Sequence, residues 1–397
     1  MLTKLRTFAS LYRELGPRWS AFRVAYAFRL RTGLIRLQMP QYKWNDRPLG
    51  MWLKKNIPSE PKAYAEWRKQ NQPKFFFNTH RVERSDERSS RHADEAHWDN
   101  QTAIEEANRI LNGEIKYFSH EFHQISFPPN WHQAPTALQS FALGGVPAAV
   151  PQGCFAKDGG LSIAAHKHWS QLSDESDVDI KFIWEANRFS FVYTLVRAYA
   201  ASQDEKYAEA FWTLIEAWAE SNPPNTGPNW MDGQEAALRL MAWTFGYYQF
   251  VNSPSSTPQR IAQFTVLVAS HAERIYNNTS FAIFTRGNHA ITEALGLWLT
   301  GLLFPELKHA EKYLSFGRMS LEREARAQIF PDGSYSMYSL NYHRFVLHIY
   351  LYMMRLSELN QSPVSYLMPS NLPLITSPNS LTPKPDKCLS TVQTMAR

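Results

Sequence analysis

From residue 181 onward the chain alternates broad apolar faces with short polar breaks. VYTLVRAYAAS, YAEAFWTLIEAWAES, EAALRLMAWTFGYYQFV, RIAQFTVLVASHAERIY, HAITEALGLWLTGLLF, AEKYLSFGRMSLEREARAQI and YHRFVLHIYLYMMRLSEL each repeat apolar residues at helical spacing. Turn-forming stretches such as NPPNTGPN and FPDGS separate them. The pattern predicts antiparallel helical hairpins whose polar residues gather at helix starts and in the loops of one end. Residues 37–180 are less regular, mixing Pro-rich turns, the aromatic run Phe75-Phe76-Phe77 and a charged stretch RVERSDERSSRH whose interleaved acids suit a solvated helix better than a nucleic-acid patch.

At 397 residues, 44% hydrophobic, the chain is long enough to bury a large core. Its net charge of +6 suits acidic partners if the charge is concentrated, and residues 1–36 hold eight Lys/Arg against Glu14 alone. There Leu5, Phe8, Leu11, Trp19, Phe22, Tyr26 and Leu30 recur at helical spacings, predicting one or two basic amphipathic helices. Two readings stay open for residues 1–36: peripheral contact with an anionic membrane, or docking on the protein's own body with solvated arginines, which is the preferred one. The two cysteines, Cys154 and Cys388, are too few for a disulfide scaffold or a Cys-based zinc site. No Gly-rich phosphate loop, HExxH or GxSxG occurs. The start lacks a recognisable signal peptide, so a cytoplasmic or inner-membrane-peripheral location is expected over a periplasmic one.

Candidate chemistry concentrates in DIKFIWEANR (179–188), GPNWMDGQEAALR (227–239), TRGNHAITE (285–293) and DGSYSMYSLNYHR (332–344). Asn288 is the natural N-cap of the apolar helix that follows it. With Arg286 and His289 alongside, the same helix start also suits an anion such as the carboxylate of an acidic sugar, though the spacing favours the cap. Glu235 and Arg239, four apart, read as a structural ion pair. Tyr342, at a helix start beside His343 and Arg344, is a phenol that would need its pKa lowered to act as a base.

Taken together and in this order, these four motifs resemble the heparinase II/III family of polysaccharide lyases, convincingly over 179–360. The resemblance implies a mainly α fold, an (α/α) toroid of antiparallel hairpins, here incomplete and preceded by the basic helical segment. The expected organisation is a basic segment at 1–40, an irregular or helical lead-in at 41–178, the toroid core at 179–360, and a Pro/Ser/Thr-rich tail at 361–397. The resemblance also implies an acidic, uronate-containing polysaccharide as partner, with neither nucleic acid, cofactor nor metal required. The reaction would be β-elimination: a neutralised uronate carboxylate, a base for the C5 proton, and an acid for the leaving oxygen.

Carried over by position, Asn288 matches the family's carboxylate-neutralising asparagine and Tyr342 its proton-transfer tyrosine. His343 and Arg344 would support the tyrosine, while Arg286 and His289 would face the same sugar. Trp184, Asn187, Arg188 and Trp230 match positions lining the cleft. The sequence departs from the family at Arg286-Gly287-Asn288, at Phe189 and at Met337-Tyr338. The family's C-terminal β-sheet domain, which supplies a third catalytic group, a histidine, is expected to be missing here. A shortened and impaired lyase is therefore expected. The alternative is a non-catalytic glycan-binding or surface-polysaccharide assembly protein associated with the membrane surface. A toroidal glycoside hydrolase is weaker, with Asp179, Glu185, Asp232 and Glu235 as acids by location only.

Overall fold

The computed structural model describes residues 2–77, 100–119, 121–135, 166–172 and 180–362, with side chains given for residue 10 and from residue 12 onward. Cys154, Cys388, Asp179, the charged stretch 81–92 and nearly all of the Pro/Ser/Thr-rich tail lie outside the described residues. The elements are α1 (Leu2–Arg31), α2 (Leu34–Gln38), α3 (Leu49–Trp52), α4 (Pro61–Asn71), α5 (Asn100–Leu111), a hairpin of β1 (Glu114–Tyr117) and β2 (Glu121–Gln124), and α6 (Lys181–Asn187). There follow α7 (Val192–Ser202), α8 (Lys206–Ser221), α9 (Gly233–Phe250), α10 (Pro258–Thr285), α11 (Asn288–Leu303), α12 (Ala310–Gln328) and α13 (Leu340–Leu359). The architecture is mainly α, with the helical hairpins of an (α/α) toroid.

All seven helices expected from the apolar periodicity form. Their ends follow local chemistry. Thr257 caps α10 by accepting from Arg260 N, with Pro258 as the first helical residue, where its missing N–H costs nothing. Asp232 caps α9 by accepting from Gln234 N at 2.7 Å. The α10 helix runs nine residues past the expected Tyr276, because Asn278, Thr279 and Ala282 turn inward and are buried there. The α11 and α12 backbones approach so closely that a Cβ on Gly317 would lie 2.5 Å from Trp298 N, and one on Gly301 would lie 2.4 Å from Leu314 N. Glycine is what permits that contact.

One continuous apolar core extends from Tyr26 to Leu356 and includes the fully buried Trp212, Trp218, Trp230, Trp243 and Trp298. The irregular stretch before residue 180 contributes to it. The α4 helix is fastened by Arg68, fully buried, which pairs with Glu306 at 3.2 Å and donates to Leu303 O at 2.6 Å. Tyr64 donates to the other oxygen of Glu306 at 2.8 Å. Both charges therefore keep partners where water is excluded.

The α1 helix is two segments joined at Gly16, whose φ of 81° ends one before Pro17 opens the next. Its second segment docks on α10: Phe22 stacks on Phe284 at 4.1 Å and Tyr26 meets Phe281 at 4.7 Å. Asn278 Nδ2 donates to the Tyr26 hydroxyl at 3.3 Å. Among the described residues no helix is long and apolar enough to cross a membrane.

Candidate active site

The starts of α9 and α11 meet the turn after α6 and the loop before α13. The α11 start differs from the sequence expectation. Gly287, with extended φ and ψ, is the N-cap, and it gives no side-chain capping bond. Asn288 is the first helical residue and is buried; its Nδ2 donates to Gln234 Oε1 at 2.6 Å. It does not cap the helix, because in helical conformation its side chain points away from the first-turn N–H groups toward α9. Thr292 donates to the same Gln234 oxygen at 3.3 Å. One N–H of the Asn288 amide is consumed, and a second remains in its inventory.

Arg286 closes α10 in left-handed conformation (φ 53°) and is exposed. His289 Nδ1 lies 3.2 Å from Asp232 Oδ2. Asp232 thus caps α9 with one oxygen and holds His289 with the other. Burial disfavours charge on both partners. For His289 that cost is outweighed by the hydrogen bond to Asp232 and by the Asp232 charge, so its pKa is raised. For Asp232 it is outweighed by His289 and the Gln234 N–H, so its pKa is lowered.

Beneath this pair sits Glu293, buried, whose carboxyl is pushed up to about 8 by burial and by the Asp232 charge, against the opposing Arg274, Thr279 and His289. It is chiefly a neutral acid near pH 7. Gly233 makes room for it, since a Cβ there would lie 2.4 Å from Glu293 Oε1. Arg274 donates to Trp230 O (2.9 Å) and Met231 O (2.8 Å) and lies over the Trp169 ring at 4.0 Å.

Arg188 is bound on two sides. It grips Glu235 bidentately at 2.7 and 2.8 Å and Glu185 at 2.6 Å, while Glu185 also accepts from Phe118 N at 2.9 Å. The expected Glu235–Arg239 pair does not form. Arg239 is buried and turned inward, donating to Asn187 O, Asn229 O and His271 Nε2. Because His271 Nδ1 faces Leu267 O at 2.8 Å, the imidazole is neutral with its proton on Nδ1. Glu235 is instead taken by Arg188.

Two expected cleft residues are core residues. Trp230 is fully buried, with its indole N–H on Asn222 O, so neither face can receive a sugar ring. Asn187 is buried with its amide committed to Trp131 O, Ile183 O and the Trp218 indole. Trp184 is half-buried and donates to Pro228 O at 3.0 Å. Arg188 remains partly exposed at the rim.

Tyr342 stands in the first turn of α13 and is exposed, as is Arg344, whose guanidinium lies 3.4 Å from Asn341 Oδ1; His343 is half-buried. The link from this loop to the α11 start passes through residues that sequence reasoning missed. Tyr335, buried and raised to about 12 by burial and by Glu324 and Tyr342, donates to Gln328 Oε1 at 2.8 Å. Gln328 in turn donates to Gly287 O at 3.2 Å. Tyr335, Gln234 and Glu293 lie within the polar stretches 332–344, 227–239 and 285–293. Arg274 and Gln328 carried no local signal. Among the described residues no group of three or more His, Cys, Asp or Glu side chains could hold a metal ion.

Comparison with known proteins sets this geometry in a lineage. A family model described as "Heparinase II/III N-terminus" matches residues 63–371. A heparin-sulfate lyase of Bacteroides thetaiotaomicron is 31% identical over 199 residues, covering 49% of this chain and 28% of the relative. One of Bacteroides stercoris is 28% identical over 213 residues, covering 48% and 31%. The crystal structure of heparan sulfate lyase HepC from Pedobacter heparinus superposes with a TM-score of 0.50 at 20% identity, over 77% of this chain and 41% of that one. The match therefore spans less than a third of the length of either Bacteroides relative.

Proposed function

The chain belongs to the heparinase II/III family, and on that premise we propose that it acts as a polysaccharide lyase on a uronate-containing acidic polysaccharide by β-elimination. The observation that carries the reading is the α11 start. A buried amide, Asn288, sits on an uncapped helix N-terminus between the exposed Arg286 and His289, whose imidazole is paired with Asp232 and has its pKa raised by it. Helix-end N–H groups, an amide donor, a guanidinium and an imidazole make a receptor for one carboxylate.

In the proposed step the uronate carboxylate takes hydrogen bonds from Asn288, which withdraws charge and acidifies the C5–H. Tyr342 acts as the base and removes that proton. The C5–H electron pair becomes the C4=C5 double bond, the C4–O bond breaks, and the leaving glycosidic oxygen recovers the proton from Tyr342. Arg188 takes no direct part; with Glu235 it fixes the α6 turn against α9 at the rim.

Incubation with heparan sulfate, heparosan, alginate and glucuronan, followed by ultraviolet absorbance of a 4,5-unsaturated uronate, tests the proposal. The expected result is absorbance growth with at least one polymer. Binding to such a polymer without absorbance would replace the lyase reading by a non-catalytic glycan-binding one.

A further inference from the structure

The outward face of α1 has no role in the site described above. Ala21, Val24, Ala25 and Phe28 recur at helical spacing and, at 100° per residue, fall within an arc of about 100°. All four are exposed, Val24 at 58% and Phe28 at 61%. With Pro17 at the start of the segment and Tyr12 across the kink they line an open, almost wholly apolar groove of about 690 Å³. The opposite face of the segment, through Phe22 and Tyr26, is the one fastened to α10. The helix is therefore apolar on two sides, and only one of them is covered among the described residues.

Charge selects what would cover the other. The chain's net charge is +6 while residues 1–36 carry +7, so the remainder is one unit negative and the positive charge is concentrated here. By the same helical geometry Arg31 borders one edge of the apolar arc, and Arg18 and Arg29 border the other. Arg29 is anchored to Gln38 at 2.6 Å; Arg18 and Arg31 reach outward. An apolar stripe edged by arginines matches an anionic lipid surface, where the stripe enters the acyl boundary and the guanidinium groups meet the headgroups. A second copy of this chain would bring an equally basic arm against the first, which like-charge repulsion opposes.

We propose that α1 is a membrane-docking helix that seats the protein on anionic bilayers through Val24 and Phe28, with Arg18 and Arg31 as headgroup contacts.

The test is co-sedimentation of the full chain with vesicles of phosphatidylcholine alone or mixed with phosphatidylglycerol, with the solution mass measured alongside. Binding to the mixed vesicles only is expected, weakening as salt is raised. The Val24→Asp/Phe28→Asp variant, changed at exposed positions, should keep its helical circular dichroism and lose at least about tenfold in affinity. Arg18→Gln and Arg31→Gln should each cost about fivefold. Three outcomes overturn the proposal: no binding to anionic vesicles, unchanged binding by the Val24→Asp/Phe28→Asp variant, or a wild-type dimer that this variant dissociates, which would assign the face to a second copy.

Discussion

Replacing Glu293 by glutamine isolates the buried acid of the site. In the folded protein its carboxyl is raised from an ordinary 4.5 to about 8, first by burial and then by Asp232. A raised carboxyl binds its proton more tightly in the native than in the unfolded state, so stability falls as pH rises from about 4.5 to 8. Between about pH 5 and pH 9 the loss amounts to about 4 kcal/mol, at 1.36 kcal/mol per tenfold change in proton affinity. Glutamine keeps the shape and a donor but cannot ionise. Urea unfolding of the wild type and Glu293→Gln near pH 5, 7 and 9 should show nearly equal stability at the acid end and a growing advantage for glutamine toward the alkaline end. His289, also raised, stabilises fully below its ordinary value and loses its contribution as pH rises through its folded value; its chief partner Asp232 is kept in both proteins, so most of that contribution is common to them. The difference between the two proteins, not either curve alone, is therefore the readout. A difference that stays constant from pH 5 to pH 9 would refute the reasoning, because Glu293 would then be charged in the fold at all three values.

Other substitutions probe neighbouring contacts. Gly233→Ala places a methyl 2.4 Å from Glu293 Oε1 and should cost about 1–3 kcal/mol in chemical denaturation, with Glu293→Ala reducing the cost in a double-mutant cycle. Arg188→Met leaves the carboxylates of Glu185 and Glu235 facing each other without their shared cation; a loss of about 3 kcal/mol is expected by urea unfolding. Asn288→Asp retains the shape beside Gln234 but sets a negative charge where the uronate carboxylate would bind, so uronate-polymer turnover should be at least as low as in Asn288→Ala. Full activity of Asn288→Asp would remove Asn288 from the proposed chemistry.

The helices were legible because their apolar periodicity is strong and their separators contain Gly, Pro and Asn. Where the structure departs from the pattern, tertiary partners are the reason. Asn288 has the composition of a cap, but Gly287 is extended and takes that position, which frees the amide for Gln234. Glu235 and Arg239 have ion-pair spacing on a helix, yet Arg188 reaches Glu235 from another element while Arg239 turns to carbonyls in the core. Trp230 could not be told from a sugar-stacking ring by sequence, since exposure is a property of what packs over it. The α10 extension was hidden by Asn277-Asn278-Thr279-Ser280, polar residues of modest helix propensity. The pair of Asp232 and His289, 57 positions apart in the chain, illustrates the general limit: spacing reveals faces of one helix and not the meeting of two.

The most direct test of the central claim is the mass of the oligosaccharides released from a uronate polymer by the wild type and by Tyr342→Phe. β-Elimination predicts new non-reducing ends lighter by one water than hydrolysis would give, formed at least about a hundredfold more slowly by Tyr342→Phe, which keeps the exposed ring and the fold. Hydrated ends, or unchanged release of unsaturated ends by Tyr342→Phe, would contradict the account.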